Sequence, residues 1–329
     1  MPVNPMEKQI SSRKVTAWLR LGTACATRLL PLLLLLALPA TVQAQDYTYE
    51  VNYGKVTITK FTGSGGAVDV PSTIDGLPVT SIAWNTFYNC ASLVSVKIPN
   101  SVTSIGTGAF NSCSNLTSVV VGNSVTSIGN GAFYSCSNLT SATIPNSVTS
   151  IGTNAFYGCS HLTSFIIPNS VTIIGDSAFS GCSRLTNITI PNSVNRIGNG
   201  VFSGCFSLAR VMIPTSVTRI GDGAFGFCSS LTGVSIPNSV TRIGDGAFFG
   251  CSKLTTVMIG NGLSILKDSA FTGCTSLTGV YFKGHAPFVV GGDAFIGDRK
   301  VTVYYLPGAK GWDTTFSGRP TRFYRLRSP

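Results

Sequence analysis

The chain has little charge and almost no histidine. Only 11% of its 329 residues are Asp, Glu, Lys or Arg, whereas an ordinary soluble domain has about 25%. Hydrophobic residues make up 43% of the chain, which excludes intrinsic disorder, because disordered chains have few apolar residues and many charges. The two histidines, His161 and His285, are far apart in the sequence, and it contains no H-E-x-x-H, C-x-x-C or G-x-S-x-G motif. We therefore expect no metal site, no cofactor and no serine–histidine catalysis, and we interpret the protein as one that is not an enzyme.

The first 44 residues differ from the rest of the chain. An apolar run at 29–38 is preceded by the basic residues Lys8, Arg13, Lys14, Arg20 and Arg28. Small residues follow the run, so the pattern predicts a secretory signal peptide over residues 1–44 that is cleaved after Ala44. Pro31 and Pro39 bracket a run that is too short to cross a bilayer, which takes about 20 apolar residues. We expect contact with a membrane only through this segment before cleavage, and a secreted, extracellular or cell-surface location afterwards.

Phenylalanine recurs at a strict interval of 23 residues. The positions are Phe87, Phe110, Phe133, Phe156, Phe179, Phe202, Phe225, Phe248 and Phe271. A cysteine follows each phenylalanine three residues later, and a leucine follows each cysteine three residues after that, from Leu93 to Leu277. A repeat of about 20 to 29 residues with an L-x-x-V-x-I core predicts a solenoid, in which each repeat forms one coil and stacks on its neighbours.

Each repeat is interpreted as two short extended pieces and one turn. In Ile188-Thr189-Ile190 the apolar residues alternate with a polar one, as in a half-buried strand. Pro191 ends that strand because proline has no N–H for the ladder. The asparagine that follows most of these prolines is expected to point inward and to bond the backbones of adjacent coils. V-T-x-I then forms the second extended piece, and A-F-x-x-C is expected to form one short helical or 3₁₀ turn that places Phe and Cys in the core.

The complete repeat, S-V-T-S-I-G-x-G-A-F-x-x-C-S-x-L-T-S, resembles the BspA-type leucine-rich repeats of bacterial surface and secreted proteins. The resemblance covers about residues 79–282 and implies a leucine-rich-repeat solenoid of β-rich coils with a parallel sheet and about nine repeats of 23 residues. It also implies roles in adhesion and in the binding of macromolecules. A solenoid needs closed ends, so residues 45–78 are interpreted as an N-terminal β cap and residues 283–329 as a C-terminal cap.

Nine of the ten cysteines occupy a single position of the repeat: Cys90, Cys113, Cys136, Cys159, Cys182, Cys205, Cys228, Cys251 and Cys274. Equivalent positions of a solenoid share one environment, and a buried thiol behaves as a small hydrophobe. We therefore expect a stack of free core cysteines. Adjacent coils bring equivalent Cα atoms to about 4.8 Å, which lies within the range of a disulfide, so pairing of neighbouring cysteines is the alternative.

Charged residues also follow the repeat. One row is formed by arginines and a second row, beside the glycine turn, by aspartates: Arg196, Arg219 and Arg242, then Asp176, Asp222, Asp245 and Asp268. We expect the two rows to form a solvated charge network at one edge of the solenoid. The alternative is that the arginines bind a sulfated or carboxylated ligand.

The outward position of the longer strand differs from repeat to repeat, while the positions around it hardly change. This strand column consists of Lys97, Val120, Thr143, Ile166, Thr189, Met212, Ser235, Met258 and Tyr281. A surface that recognises one partner needs local variety, so the strand column is the candidate binding face. The sequence thus predicts a secreted or cell-surface, non-enzymatic monomer that binds an extracellular protein or polysaccharide and no nucleic acid. The alternative is a structural spacer of the envelope or matrix that associates with copies of itself.

Overall fold

The structure is a computed structural model that describes residues 46–325, so the predicted signal peptide lies outside the described residues. Within that range the chain forms strands joined by turns and contains no helix. The strands are β1 (Tyr47–Asn52), β2 (Lys55–Phe61), β3 (Gly66–Asp69), β4 (Thr73–Ile74), β5 (Leu77–Ile82), β6 (Leu93–Lys97), β7 (Ser104–Ile105), β8 (Ser118–Val120), β9 (Ser127–Ile128), β10 (Ser141–Thr143), β11 (Ser150–Ile151), β12 (Ser164–Ile166), β13 (Ile173–Ile174), β14 (Asn187–Thr189), β15 (Arg196–Ile197), β16 (Arg210–Met212), β17 (Arg219–Ile220), β18 (Gly233–Ile236), β19 (Arg242–Ile243), β20 (Thr256–Ile259), β21 (Ile265–Lys267), β22 (Gly279–Phe282), β23 (Phe288–Val290), β24 (Thr302–Tyr305), β25 (Thr315–Phe316) and β26 (Arg319–Phe323).

The coils contribute strands to two rows. The first strand row consists of β2, β5, β7, β9, β11, β13, β15, β17, β19, β21 and β23, so the solenoid has about 11 turns. The second strand row consists of β3, β6, β8, β10, β12, β14, β16, β18, β20, β22, β24 and β26. Sheet hydrogen bonding is interrupted between β13 and β15 in the first row, and after β10 and after β16 in the second.

The strands of each row are parallel, and within the repeats residues 23 positions apart pair across them. Ser104 faces Ser127, and Ser127 faces Ser150. In the second row Val257 faces Val280 in the same way. Equivalent residues of successive repeats therefore stack directly on one another, which confirms the predicted leucine-rich-repeat solenoid with parallel sheets.

The A-F-x-x-C segment is a series of turns, and the predicted helical or 3₁₀ turn is wrong. The N–H of Phe110 donates to the carbonyl of Ala132 in the next coil (2.7 Å), whereas the N–H of Asn111 bonds locally to Gly108 (2.9 Å). Gly108 and Ser112 adopt the left-handed backbone, each with φ 62°. Because alternate N–H groups bond the next coil, the segment lacks the consecutive hydrogen bonds along the chain that define a helix.

The phenylalanine row forms a stack through the core. Rings from Phe87 to Phe295 lie nearly parallel, with centroids of adjacent rings 4.7 to 5.8 Å apart. Phe179 is fully buried, and Phe165 packs edge-on against it at 4.8 Å. The ring spacing is close to the distance of about 4.8 Å between paired strands. The stack and the two ladders therefore support the same coil spacing.

The asparagines that follow the strand-ending prolines are exposed, so the prediction that they point inward is wrong. The serine one position later makes the half-buried contact between coils. The hydroxyl of Ser147 donates to the carbonyl of Val125 (2.6 Å), and the same bond recurs in the next four coils. The short hydroxyl reaches this carbonyl from a half-buried position, while the longer amide stays in solvent. At Asn100 the side-chain oxygen accepts the N–H of Asn123 from outside the core (2.8 Å).

The nine repeat cysteines are free thiols, eight of them buried. The thiol of Cys182 donates to the carbonyl of Phe156 in the preceding coil at 3.3 Å. The same bond is made by the other buried cysteines of the row. Burial raises the pKa of Cys182 and of Cys205 well above that of an ordinary thiol. Each coil thus bonds its neighbour through a neutral thiol.

Both ends of the solenoid carry aromatic side chains and an antiparallel strand pair. At the N-terminal end β1 and β2 form a hairpin, Tyr47 contacts Phe61 (ring centroids 5.4 Å apart), and β2 already pairs in parallel with β5. At the C-terminal end β25 and β26 are antiparallel. Trp312 stacks on Tyr305 there with 5.2 Å between the rings, and its Nε1 donates to the carbonyl of Gly284 at 3.2 Å.

Asp298 is a buried carboxyl in the C-terminal region, and neither of its oxygens has a hydrogen-bond partner. The guanidinium of Arg319 bonds the backbone carbonyl of Asp298 (3.0 Å) and the carboxylate of Asp293 (3.2 Å) instead. Burial raises the pKa of Asp298 from 3.8 to about 6, although the positive charge of Arg319 opposes the shift. The fold therefore favours the neutral carboxyl.

Replacement of the central ring by Phe179→Ala is expected to lower the free energy of unfolding by about 3 to 5 kcal/mol, because it opens a cavity between two stacked neighbours. Chemical denaturation followed by circular dichroism measures the loss. Phe206→Ala, at a ring that is 51% exposed, serves as the control and should change stability by less than about 0.5 kcal/mol. A loss at Phe179 below about 1 kcal/mol would contradict a contribution of that size from the stacked ring to the free energy of unfolding.

Titration of denatured residues 45–329 without reductant is expected to find nine free thiols, because all nine repeat cysteines are unpaired. Alkylation of the native protein should modify Cys90 first, since it is half-buried while the others are buried. Mass mapping of bridges between neighbouring cysteines would instead support the disulfide alternative.

Lowering the pH from about 7 to about 5 is expected to stabilise the C-terminal region by about 1 kcal/mol through Asp298. The folded pKa is raised, so the stabilising contribution is complete below the unfolded value of 3.8 and is lost as the pH rises through about 6. Hydrogen exchange of residues 295–305, corrected for the intrinsic rate, measures the effect. Asp298→Asn should reduce the pH dependence of hydrogen exchange in these residues. If the dependence is unchanged in that variant, other groups cause it.

Candidate binding surface

The strand column lies on the outside of the second strand row. Its first seven residues, Lys97 to Ser235, are exposed, and Met258 and Tyr281 are half-buried. Ile166 and Met212 are the most exposed large side chains of the column, at 82% and 79%. The alternation of the strand causes this arrangement, because the residues on either side of Met212, Val211 and Ile213, point into the core.

Strand pairing places the column residues side by side along the solenoid. Ile166 faces Thr189, which faces Met212. In the next sheet segment Ser235 faces Met258, which faces Tyr281. The column is therefore one line of adjacent side chains in each sheet segment, with a different residue type in almost every coil.

A row of threonines borders the strand column and uses its hydroxyls within the protein. The hydroxyl of Thr140 donates to the carbonyl of Thr117 (3.0 Å), and Thr255 and Thr278 make equivalent bonds to the preceding coil (2.9 and 3.3 Å). These hydroxyls are thus already bonded to the neighbouring coil. The strand column consequently differs from its border in chemical role as well as in variety.

The column extends beyond the predicted residues at its C-terminal end. Tyr281 faces Tyr304, whose ring stacks on it at 4.6 Å, and Tyr304 faces the exposed Arg322. Tyr324 packs edge-on against Tyr281 (5.2 Å). The 23-residue interval from Tyr281 to Tyr304 was the signal for this extension.

The predicted charge network between the arginine and aspartate rows is wrong. Among the described residues, the ion pairs are Lys267–Asp222 (3.4 Å) and Arg319–Asp293 (3.2 Å), so no member of the arginine row is paired. The aspartates bond backbone instead: an oxygen of Asp222 accepts the N–H of Asp245 in the next coil at 2.8 Å. The sequence could not indicate this, since the competing donor is a main-chain group.

A second exposed surface lies beside the turns of the N-terminal coils. Trp84 and Tyr88 are 72% and 57% exposed, and Tyr134 stacks on Tyr157 with 4.8 Å between ring centroids. The grooves beside them measure about 480 and 410 Å³ and meet at Asn85. Trp84 was missed by the repeat analysis because it lies in the incomplete first repeat. It replaces a residue that is Thr or Asn in the next three coils, and that replacement was the available signal.

Both histidines lie within hydrogen-bond distance of backbone groups. The ring Nδ1 of His161 lies 2.8 Å from the carbonyl of Ser137, and Nδ1 of His285 accepts the N–H of Lys310 at 2.8 Å. Within residues 46–325, no three His, Cys, Asp or Glu side chains converge to hold a metal ion. The same residues include no helix of sufficient length and apolar character to cross a membrane.

Several solved structures are similar to this one. A leucine-rich repeat protein of T. pallidum is 35% identical, with a TM-score of 0.55, and the match covers 57% of this chain and 89% of that one. A leucine-rich cell surface protein of Faecalibacterium prausnitzii is 27% identical with a TM-score of 0.50, over 86% of this chain and 94% of that one. A leucine-rich repeat protein of Bacteroides ovatus, 24% identical with a TM-score of 0.52 over 85% and 98%, shares the fold. No curated protein matches the chain.

The family model for the BspA type leucine-rich repeat region matches residues 80–209 and 149–278, in 6 copies. The two ranges overlap and together span more than half of the chain. They contain the phenylalanine row, the cysteine row and most of the strand column. The chain therefore belongs to the BspA-type leucine-rich repeat proteins.

Proposed function

We propose that the protein is a secreted or cell-surface binding protein without enzymatic activity, which contacts an extracellular protein or polysaccharide through the strand column. The observation that carries the proposal is the exposure of large apolar side chains, such as Ile166 and Met212, at a position that varies from coil to coil. The family supports the extracellular part of the proposal, since one similar structure is that of a cell surface protein.

The strand column suits binding because its backbone is fixed before a partner arrives. Each column residue lies on a strand that pairs with at least one neighbouring strand, so association orders mainly side chains and little main chain. Methionine adapts to the shape of a partner, and large side chains that can be desolvated contribute most of the binding energy at interfaces. We therefore assign the anchoring contacts to Met212, Met258 and Tyr281.

The alternative, a spacer that associates with itself, draws on the same exposed side chains. A flat and regular face that repeats along a solenoid can also pack on a second copy of itself. Sedimentation velocity over a hundredfold range of concentration separates the two functions. A binder stays monomeric over this range, whereas a spacer forms oligomers or filaments whose size grows with concentration.

A screen of the full secreted chain against arrays of extracellular-matrix proteins and glycans identifies the partner. Met212→Lys with Met258→Lys is then expected to weaken binding about 100-fold or more, because it places two charges at the anchoring positions. Surface plasmon resonance measures the change, and circular dichroism checks that the variant is folded.

Ile173→Lys with Val290→Lys is the matched control for this variant. These two side chains are exposed (62% and 38%) but lie on β13 and β23 of the first strand row. The control adds the same two charges and should bind like the wild type. Equal losses in both variants would place the contact elsewhere than on the strand column.

A further inference from the structure

Three arginines lie side by side in the first strand row, on a different face from the strand column. Arg196 on β15 faces Arg219 on β17, which faces Arg242 on β19. Parallel strands are about 4.8 Å apart, so three guanidinium groups of like charge extend from adjacent positions. Arg196 and Arg219 are exposed and Arg242 is half-buried.

No carboxylate within the described residues forms an ion pair with these arginines, since none lies within ion-pair distance of them. The acids nearest in the repeat are the aspartates of the next row. An oxygen of Asp176 accepts the N–H of Asn199 at 2.9 Å. Asp222 accepts the N–H of Asp245 and lies 3.4 Å from Nζ of Lys267. Both carboxylates remain charged, but the two grooves together are lined by three arginines and two aspartates, so their lining keeps a net positive charge.

The arginine row lines an open groove of about 570 Å³. The other side chains of this groove are small, polar or aliphatic: Asn199, Ile220, Asp222, Thr241, Ser264 and Ile265. A second groove of about 340 Å³, between β13 and β15, shares Arg196 and continues the first one. It lies where the hydrogen bonding of the first row is interrupted. Together the grooves run across several coils, which fits a linear ligand better than a compact one.

We propose that this arginine groove binds a linear sulfated polysaccharide. A guanidinium group offers two parallel N–H donors that match two oxygens of one sulfate, and the three arginines repeat this contact from coil to coil. Asn199 and Ser264 lie in the groove beside them, where they can bond the sugar hydroxyls. The site is separate from the strand column, so it is a second binding activity and does not rest on the function proposed above.

The lining of the groove favours a polysaccharide over a nucleic acid. Proteins that bind single strands stack the bases on aromatic side chains. Neither of the two grooves is lined by an aromatic residue. Duplex readers place a helix or strand pair in a groove of the nucleic acid, whereas this surface is itself the groove. Binding to DNA is therefore treated as an outcome that would overturn the proposal.

Surface plasmon resonance on immobilised dextran sulfate, with neutral dextran as the reference surface, tests the proposal with the full secreted chain. The wild type is expected to bind dextran sulfate and not dextran, with an affinity that falls as the salt concentration rises. Arg196→Gln, Arg219→Gln and Arg242→Gln together should lower the affinity at least about tenfold. The corresponding triple lysine variant keeps the charge but loses the paired donors, so its affinity for dextran sulfate should lie between those of the wild type and the glutamine variant.

A matched control removes the same three charges from other exposed positions of the solenoid: Arg184→Gln, Arg210→Gln and Lys253→Gln. This control, and the Met212→Lys with Met258→Lys variant, should bind dextran sulfate like the wild type. An equal loss in the control would show that only net charge attracts the polymer and would overturn the site. The proposal also fails if the wild type does not bind dextran sulfate, or if single-stranded DNA of equal charge competes as well as free dextran sulfate does. All the arginines changed lie on the surface, so circular dichroism is expected to report an unchanged fold. If the glutamine variant is unstable, the lysine variant provides the test.

Discussion

The coil spacing is the constraint on which the whole molecule depends. In each coil, a phenylalanine ring, a thiol and two strands must stack directly on the equivalent groups of the neighbouring coil. The ring centroids of adjacent coils lie 4.7 to 5.8 Å apart, and paired strands lie about 4.8 Å apart, so one interval satisfies both. The turn before the cysteine makes this possible, because its left-handed residues, such as Gly108 and Ser112, direct alternate N–H groups to the next coil. Equivalent side chains on the surface are spaced by the same interval, including those of the strand column and the arginine groove.

The sequence predicts the inside of this protein well because each core position has a single environment repeated many times. Phenylalanine, cysteine and leucine recur in register, and all three rows are buried in the solenoid except for the half-buried Cys90. The alternation of apolar and polar residues also predicted which strand residues are outside. In Ile188-Thr189-Ile190 the two isoleucines are buried and the threonine is exposed, as the period of a strand requires.

The details that the sequence did not predict all concern polar groups with more than one available partner. The sequence places an asparagine and a serine side by side after most strands, and it is the serine, as at Ser147, that makes the half-buried bond to the preceding coil. The charge pattern predicted that the arginines and aspartates would pair, but Asp222 bonds the backbone N–H of Asp245. At the A-F-x-x-C turn, glycine and serine adopt the left-handed backbone. The same residue types are also compatible with a short helix, so the sequence does not distinguish the two. Such outcomes depend on distances across coils, which the pattern of one repeat does not contain.

The direct stacking of equivalent residues has a genetic consequence. Residues 101–106, 124–129 and 147–152 have the same sequence, S-V-T-S-I-G, and each copy contacts only the copies before and after it. A duplication or deletion of 23 residues between such copies would join one complete coil to another and restore every bond across the junction. The protein can thus lengthen or shorten by recombination without any change to its ends. The strand column and the arginine row would grow or shrink with it by whole coils.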